Sequence, residues 1–444
     1  MMPRLMLICL GIGLCPMVIW AQLVAHVPET ALHRPVADII NDYVRTGLNT
    51  NLSLRSADLE IERSQAALDI ARSRFFPEAT LGARYTRAEG GRELTLPIFN
   101  QSFALQRPRE QDTRLTVKQA LFAPAIPAAV RAQRSLLQAN EFARLALSAR
   151  LRRDITVGYL DWLRTTRGEN IIKASQLLLA ENLRISESLF HNGKITQDQV
   201  LRAKAELLTV EQQLTEISNM RSQVQSFVNF LLNQDLTTEL EFAEIETEVQ
   251  QTTADLKFLR NTALKTRPEI NQSERMVIVA RSRLDIARSA RLPILALGID
   301  NGIQGERYEF GGGRNFSTFS LLLNWTVTDG GSRSAEVNAA RALEKQAQLQ
   351  REEISQKIKL EVQQALDQLK ATADSLRAAQ ARLEATRAAF RISERKRDEG
   401  MLSQVEFLDS RVSLTNAELN LNSIRTELLA RQAELDYATG ASLP

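Results

Sequence analysis

The feature that most constrains this chain is an uninterrupted helical pattern in its C-terminal half. From Ser332 to Glu399 the sequence contains neither Gly nor Pro. Apolar residues recur there at every seventh position: Val362, Leu369, Leu376, Leu383 and Phe390. At 1.5 Å per residue, such a helix extends for roughly 100 Å. A strict repeat of seven predicts a left-handed supercoil of packed helices, because in a straight helix the apolar stripe would drift around the surface.

A second run of the same kind follows directly. Between Met401 and Thr439 there is again neither Gly nor Pro. Here too the apolar residues stand seven apart: Phe407, Leu414, Leu421, Leu428 and Leu435. Gly400 separates the two runs, and Gly can adopt a positive φ without steric cost. The sequence therefore predicts a very long helical hairpin with Gly400 at its tip.

Composition excludes several kinds of function. The 444 residues carry a formal charge of +3, so net charge gives no reason to expect a nucleic-acid partner. The three histidines, His26, His33 and His191, are scattered without metal-ligand spacing. No Gly-rich phosphate loop and no nucleophile with an adjacent base stands out. We therefore expect no enzyme activity, no cofactor and no metal.

The N-terminus has the pattern of a signal peptide over residues 1–21. One positive charge at Arg4 is followed by an apolar stretch from Leu5 to Trp20, and Ala21 precedes the expected cleavage before Gln22. A membrane-anchor helix is the alternative. Both cysteines of the chain lie in this segment, so the mature protein would contain no thiol.

The rest of the chain shows an internal repeat. The hexapeptide from Leu68 to Ser73 recurs letter for letter from Leu284 to Ser289, and a proline follows each copy at the same spacing. The sequence around Gly193 corresponds, in the same order, to the sequence around Gly400. Two blocks in the same order indicate duplication. We predict a first structural repeat at 22–232, a polar connector at 233–253 and a second repeat at 254–444.

Each repeat contains a non-helical part with strand patterns, at about 78–122 and about 293–327. Apolar and polar residues alternate there in segments of about ten residues, the length and pattern of membrane-barrel strands. Two ordinary soluble hairpins are the alternative. Four strands cannot close a barrel in lipid, where about eight are the minimum, so closure needs further copies of the chain. Two chains would supply eight strands and three would supply twelve. Arg84, Arg114 and Lys118 are expected to face a water-filled interior.

Long helices leave each of these strand regions. The first should run from Pro127 to Asn192, with Gly158 and Gly168 as soft points, and the second from Ser332 to Glu399. The predicted fold class is mostly α with a membrane β-barrel portion. Long coiled-coil hairpins would form an α-barrel, with four β-strands per chain.

Taken together, these residues resemble the TolC-like outer-membrane efflux proteins over essentially the whole mature chain. The resemblance rests on two tip motifs, Gly193-x-x-Thr196 and Gly400-x-x-Ser403-x-x-Glu406-Phe407-Leu408-Asp409. Asp329-Gly330-Gly331 after Trp325 also resembles the strand-to-helix junction of that family. The first repeat departs from this pattern, with Ala123-Pro124-Ala125 at the junction.

The resemblance implies an assembly and a location. In that family, three chains form a twelve-stranded barrel in outer-membrane lipid, continued by a helical tunnel across the periplasm. The tips contact a periplasmic adaptor protein, which is coupled to an inner-membrane pump. The implied function is export of small molecules or secreted proteins across the periplasm and outer membrane.

The resemblance also assigns candidate residues at the tips. The adaptor-docking residues would be Phe190, Gly193, Thr196, Gly400 and Ser403. In the best-studied relatives an aromatic residue and an arginine on the second hairpin bond to an acidic residue on the first and hold the entrance shut. The matching residues here are Leu402, Arg397 and Gln199, so that network cannot form as such. Arg397 could instead pair with Asp398 or Glu399 of a neighbouring chain.

Two carboxylates next to the second tip are candidates for ion selection. Glu406 and Asp409 are three residues apart and so share a helix face. In a trimer they would form two acidic rings that attract cations. Alternatively, both are first-turn residues favoured by the helix dipole.

A structural stalk is the rival interpretation of the whole chain. A coiled-coil periplasmic or surface protein without transport could use the same seven-residue repeat. It would have no reason to expose the apolar face of Phe319, Leu321, Leu323 and Trp325.

Overall fold

The computed structural model describes residues 34–90, 93–96, 101–104, 108–245, 255–309 and 313–441. The predicted signal peptide at 1–21, with both cysteines, lies outside the described residues. So do the end of the predicted connector, 246–253, the first residue of the predicted second repeat, and two residues of the Gly311 to Gly313 turn.

The two halves of the chain contain helices and strands in the same general order. The elements of the first half are α1 (Val36–Thr50), α2 (Leu52–Ser73), β1 (Glu78–Arg87), β2 (Glu93–Leu96), β3 (Gln101–Ala104), β4 (Arg109–Phe122), α3 (Ala125–His191) and α4 (Gln197–Leu232). Those of the second half are α5 (Leu256–Thr266), α6 (Pro268–Ser289), β5 (Ile294–Gly305), β6 (Asn315–Asn324), α7 (Ser332–Asp398) and α8 (Gln404–Thr439).

Helices at matching positions in the two halves have equal lengths. α3 and α7 each contain 67 residues, α4 and α8 each contain 36, and α2 and α6 each contain 22. The long helices end within two residues of the bounds expected from Gly and Pro positions. Each long helix and its return helix therefore form one hairpin of roughly 100 Å, since each residue adds 1.5 Å.

The strands form one antiparallel sheet of four in the order β1-β4-β5-β6. Strand β4 pairs with β1 of its own hairpin and with β5 of the second half, so the two hairpins join in a single sheet. Among the described residues, strands β1 and β6 each have one free edge. In the same part of the chain the short strands β2 and β3, which were not predicted from the sequence, pair only with each other.

The two faces of this sheet differ in polarity. On one face Leu81 and Phe319 are both 74% exposed, so none of the described residues covers these apolar side chains. The other face carries Arg84, which is paired in register with Asp112, and also Arg114, since residues two apart share a face. Arg114 donates to Asp112 through Nε over 2.9 Å. The alternation expected of a membrane strand is therefore present.

None of the helices in the described ranges is long and apolar enough to cross a membrane.

A buried apolar cluster joins the helices of the first half of the chain. It joins α1, α3, α4 and the chain after α4 through residues that include Ile39, Ile155, Val228, Leu232 and Ala243. Tyr159 Oη donates to the Glu241 carbonyl over 2.8 Å, and the Glu241 amide donates to Tyr43 Oη over 2.9 Å. These bonds fix the described part of the predicted connector against α3.

The expectation that Gly158 and Gly168 are soft points of the first long helix stays a prediction. Helix α3 continues unbroken through both residues. A Cβ atom on Gly168 would lie 2.6 Å from Ile217 Cδ1, and one on Gly158 would lie 3.2 Å from Val228 Cγ2. The absent side chains let α4 approach α3 closely, so these glycines serve helix packing.

Candidate functional site at the hairpin tips

Both hairpins turn through the same backbone motif. Gly193 has φ +67° and Gly400 has φ +73°. At the first tip the Lys194 amide donates to the Leu189 carbonyl and the Gly193 amide to the Phe190 carbonyl, both over 2.9 Å. The second tip repeats both bonds, from Met401 to Lys396 and from Gly400 to Arg397. This six-to-one and five-to-two pattern is the Schellman motif, in which glycine supplies the left-handed residue.

The side chains next to the turns are accessible. Phe190 is 39% exposed, and its ring centroid lies 6.3 Å from that of His191. Thr196 precedes α4 and its hydroxyl bonds to the Asp198 carboxylate. Ser403 precedes α8 and is exposed as well. An added Cβ at either tip glycine would meet no other atom within 4 Å.

The two acidic candidates have different surroundings. Glu406 forms a capping box with Ser403: its carboxylate accepts from Ser403 Oγ over 2.8 Å and from the Ser403 amide over 3.1 Å. The hydrogen bond from the Ser403 hydroxyl lowers the pKa of Glu406 below its usual range. Asp409 is exposed and makes no hydrogen bond or ion pair with any described residue. The first carboxylate is thus held by its own helix, and the second is free to face a ligand.

Arg397 has partners within its own chain. Its guanidinium carbon lies 4.1 Å from the centroid of the Phe407 ring, and Nη2 lies 3.2 Å from Asp398 Oδ1. Phe407 is fully buried, 5.8 Å from the Phe390 ring, and Leu402 packs against the same cluster. The structure therefore brings Arg397 and Leu402 together at Phe407.

Gln199, the third residue at the expected latch, is half-buried. Its side chain makes no hydrogen bond to any described residue, and the sequence-based prediction for the gate stays a prediction.

An ion-pair network between α3 and α4, centred on one buried carboxylate, was not predicted from the sequence. The apolar stripe of α4, at Val200, Leu207, Leu214 and Val228, is interrupted by Arg221. Arg221 Nε lies 2.7 Å from Glu169 Oε2, and Lys173 Nζ lies 2.7 Å from the other carboxylate oxygen. Glu169 is only 6% exposed. An arginine at a core position of a regular stripe was the available signal for a buried carboxylate opposite.

The described residues contain no group of three or more His, Cys, Asp or Glu side chains placed to hold a metal ion.

Comparison with known proteins shows which proteins the chain resembles. Residues 259–441, which include α6, β5, β6 and the second hairpin, match the family model described as outer membrane efflux protein. The chain is thus similar to outer membrane efflux proteins over this second half. Among its relatives is the toluene efflux pump outer membrane protein TtgF of Pseudomonas putida, which is 24% identical over 412 residues. The match covers 90% of this chain and 83% of TtgF. The probable efflux pump outer membrane protein SepC, from another strain of the same species, matches with the same identity and coverage.

Solved structures of outer-membrane channels share the fold of this chain. The CmeC channel of Campylobacter jejuni superposes with a TM-score of 0.83 at 18% identity, over 98% of this chain and 94% of CmeC. The OprN channel gives 0.80 at 20% identity, over 91% of both chains. This fold, long helical hairpins with a small membrane-type sheet, is the predicted fold class.

Proposed function

We propose that this protein is an outer-membrane channel-tunnel that exports small molecules or secreted proteins, with a periplasmic adaptor and an inner-membrane pump. The observation that carries the proposal is the continuity of the four-stranded sheet with α3 and α7. An apolar outward face of barrel-strand length leads directly into helices of roughly 100 Å. Each chain thereby contributes both to a membrane pore and to a passage away from the membrane.

The pore requires several copies of the chain. The free edges of β1 and β6 would each leave a row of unpaired amide and carbonyl groups in lipid, where no water can satisfy them. Pairing β1 of one copy with β6 of the next satisfies both edges, and three copies give a twelve-stranded barrel. The polar face with Arg84, Arg114 and Lys118 then lines the interior. The equal helix lengths of the two halves support the proposed repeats at 22–232 and 254–444.

The tips are the proposed docking site for the adaptor. Gly193 and Gly400 form equivalent, uncovered turns, and Phe190, Thr196 and Ser403 lie exposed next to them. A trimer would have six such turns, two from each chain, and would present the same surface to several copies of the adaptor. The gate and its ion selectivity are assigned to Arg397, Leu402, Gln199, Glu406 and Asp409.

The function is tested by deleting the gene and complementing it with the wild-type chain. We expect the deletion strain to become sensitive to a set of toxic compounds and the complemented strain to recover. The protein should sediment with the outer membrane and run as a heat-modifiable oligomer on a gel. Release into the soluble periplasm with no change in sensitivity would instead support the stalk interpretation.

A further inference from the structure

The two helical hairpins meet along a seam between α3 and α8 that is unusually polar. Within the second hairpin, α7 and α8 pack through leucines of the seven-residue repeat. Across the seam, Ser175 Oγ of α3 lies 3.3 Å from Thr415 Oγ1 of α8. Asn182 and Ser186 are also buried, and their spacing places them on the same face of α3 as Ser175. We call Ser175, Asn182, Ser186, Arg411 and Thr415 the polar seam.

Arg411 is the charged member of the polar seam. It is 8% exposed, and its Nε donates to Ser175 Oγ over a long 3.4 Å. Its guanidinium carbon lies 5.5 Å from the centroid of the Phe390 ring. No carboxylate in the described part of the chain lies within ion-pair distance of it, and the nearest acidic influences come from Glu418 and Glu394. Burial accordingly lowers the pKa of Arg411.

A second buried arginine shows how this chain compensates such a charge elsewhere. Arg267 is 4% exposed and forms ion pairs with Glu269 at 2.7 Å and with Glu361 at 3.2 Å. It also donates to the Ala438 carbonyl at the end of α8. The α5–α6 junction is therefore neutralised and locked, whereas the polar seam carries an unpaired cation between the two hairpins.

An unpaired buried cation disfavours the packed state relative to a state in which water reaches it. We propose that Arg411 is a positioning residue that lowers the cost of separating the two hairpins along the polar seam, and so favours opening of the tunnel entrance. The neighbouring apolar cluster with Leu179, Phe390 and Phe407 opposes that separation and keeps the hairpins packed at rest. The inference rests on the channel function proposed above.

Opening of the seam can be measured with a cysteine reporter at Ser186. Ser186 is 3% exposed. Both cysteines of the sequence, Cys9 and Cys15, lie in the predicted signal peptide, so a thiol reagent reports on Ser186→Cys in the processed protein. In this background Arg411→Met removes the charge and keeps an unbranched side chain that can fill the site. We expect the rate at which the reagent labels Ser186→Cys in the assembled protein to fall about tenfold or more. The reason is that the buried, unpaired guanidinium, which favours opening of the seam, has been removed. Single-channel conductance should fall in parallel, and Arg411→Lys should keep the wild-type values.

The matched control is Arg391→Met. Arg391 follows Phe390 on α7, is exposed, and makes no ion pair with any described residue, so the same loss of charge should leave labelling and conductance unchanged. Faster labelling in Arg411→Met than in the parent would overturn the proposal, because it would mean that Arg411 holds the hairpins together. Equal labelling in the two Met variants would overturn it as well. Failure of the parent to restore efflux would instead count against the channel function, and the labelling rates would still decide the role of Arg411.

Discussion

Neighbouring tip residues with similar chemistry have different surroundings in this protein. Glu406 and Asp409 are one helical turn apart, yet only Glu406 is bound by a capping hydroxyl. The sequence suggested two roles for this pair, an acidic ring and stabilisation of the first helical turn. The hydrogen bonds suggest a different role for each residue. Glu406 fits the stabilising role, and Asp409 fits the role of an ion-facing carboxylate.

The tip glycines should tolerate no aspartate. Gly193→Asp or Gly400→Asp places a side chain at positive φ, at a cost of roughly 1 kcal/mol, and adds a charge to the proposed docking surface. We expect normal protein levels and loss of efflux, measured as compound sensitivity of a complemented deletion strain. Gly90→Asp is the matched control, since Gly90 also has a positive φ, +75°, and open surroundings but lies in the strand region. Intact efflux in both tip variants would contradict docking at the tips.

Ion selectivity should depend on Asp409. In planar bilayers we expect Asp409→Asn to weaken both cation preference and block by trivalent cations from the periplasmic side, because a free carboxylate is removed from each chain. Adding Glu406→Gln should change selectivity little further. A double variant that kept full selectivity and full block would leave no role for either carboxylate as a selectivity ring.

The capping box should weaken at acid pH. The pKa of Glu406 is lowered in the folded protein, so its contribution to stability is present above the ordinary pKa of glutamate. That contribution is lost as pH falls through the lowered folded value. We expect backbone amide exchange in the first turn of α8 to accelerate over this acidic range beyond its intrinsic pH dependence. Glu406→Gln should remove this additional acceleration of amide exchange. If the variant showed the same pH profile as the parent, the Ser403–Glu406 capping box would not be its cause.

At the scale of helices and strands, Gly and Pro positions made most of the fold predictable. The ends of α3, α7 and α8 follow from Gly193, Gly400 and the junction glycines, because few other residues allow these turns. Sequence periodicity could not show that Gly158 and Gly168 permit close packing, since that depends on the opposing side chains of α4. Nor could it show the burial of Arg411, whose surroundings come from three different helices.

The ion-pair network between α3 and α4 supplies a prediction about packing. Glu169→Leu alone leaves Arg221 and Lys173 without their partner. We expect the free energy of unfolding to fall by about 1–3 kcal/mol. This is less than for a fully buried pair, because Arg221 is one-third exposed. Glu169→Leu with Arg221→Leu restores the apolar stripe and should recover most of that loss. Thermal unfolding followed by helical circular dichroism measures both. A double variant less stable than the single one would show that the pair itself is stabilising.

At the scale of the whole molecule, the proposed lipid face of the sheet can be tested with adjacent residues. Leu321 lies on the exposed apolar face of β6, and Ser320 lies on the polar face. An arginine on a lipid-facing strand position costs about 2–4 kcal/mol at the bilayer centre and little on the lumen side. We expect Leu321→Arg to reduce the yield of heat-modifiable oligomer in the outer membrane and Ser320→Arg to leave it nearly unchanged. The reverse order would place the lumen on the other face.

The order β1-β4-β5-β6 has a genetic consequence. In the proposed trimer each barrel takes strands from three copies, so one damaged edge strand breaks the pairing with a neighbouring copy and leaves the whole barrel open. A cell that makes equal amounts of intact and edge-damaged chains would assemble only about one wholly intact trimer in eight. Variants of β1 or β6 that still enter trimers should therefore be dominant over a wild-type allele, whereas variants that fail to fold before assembly should be recessive.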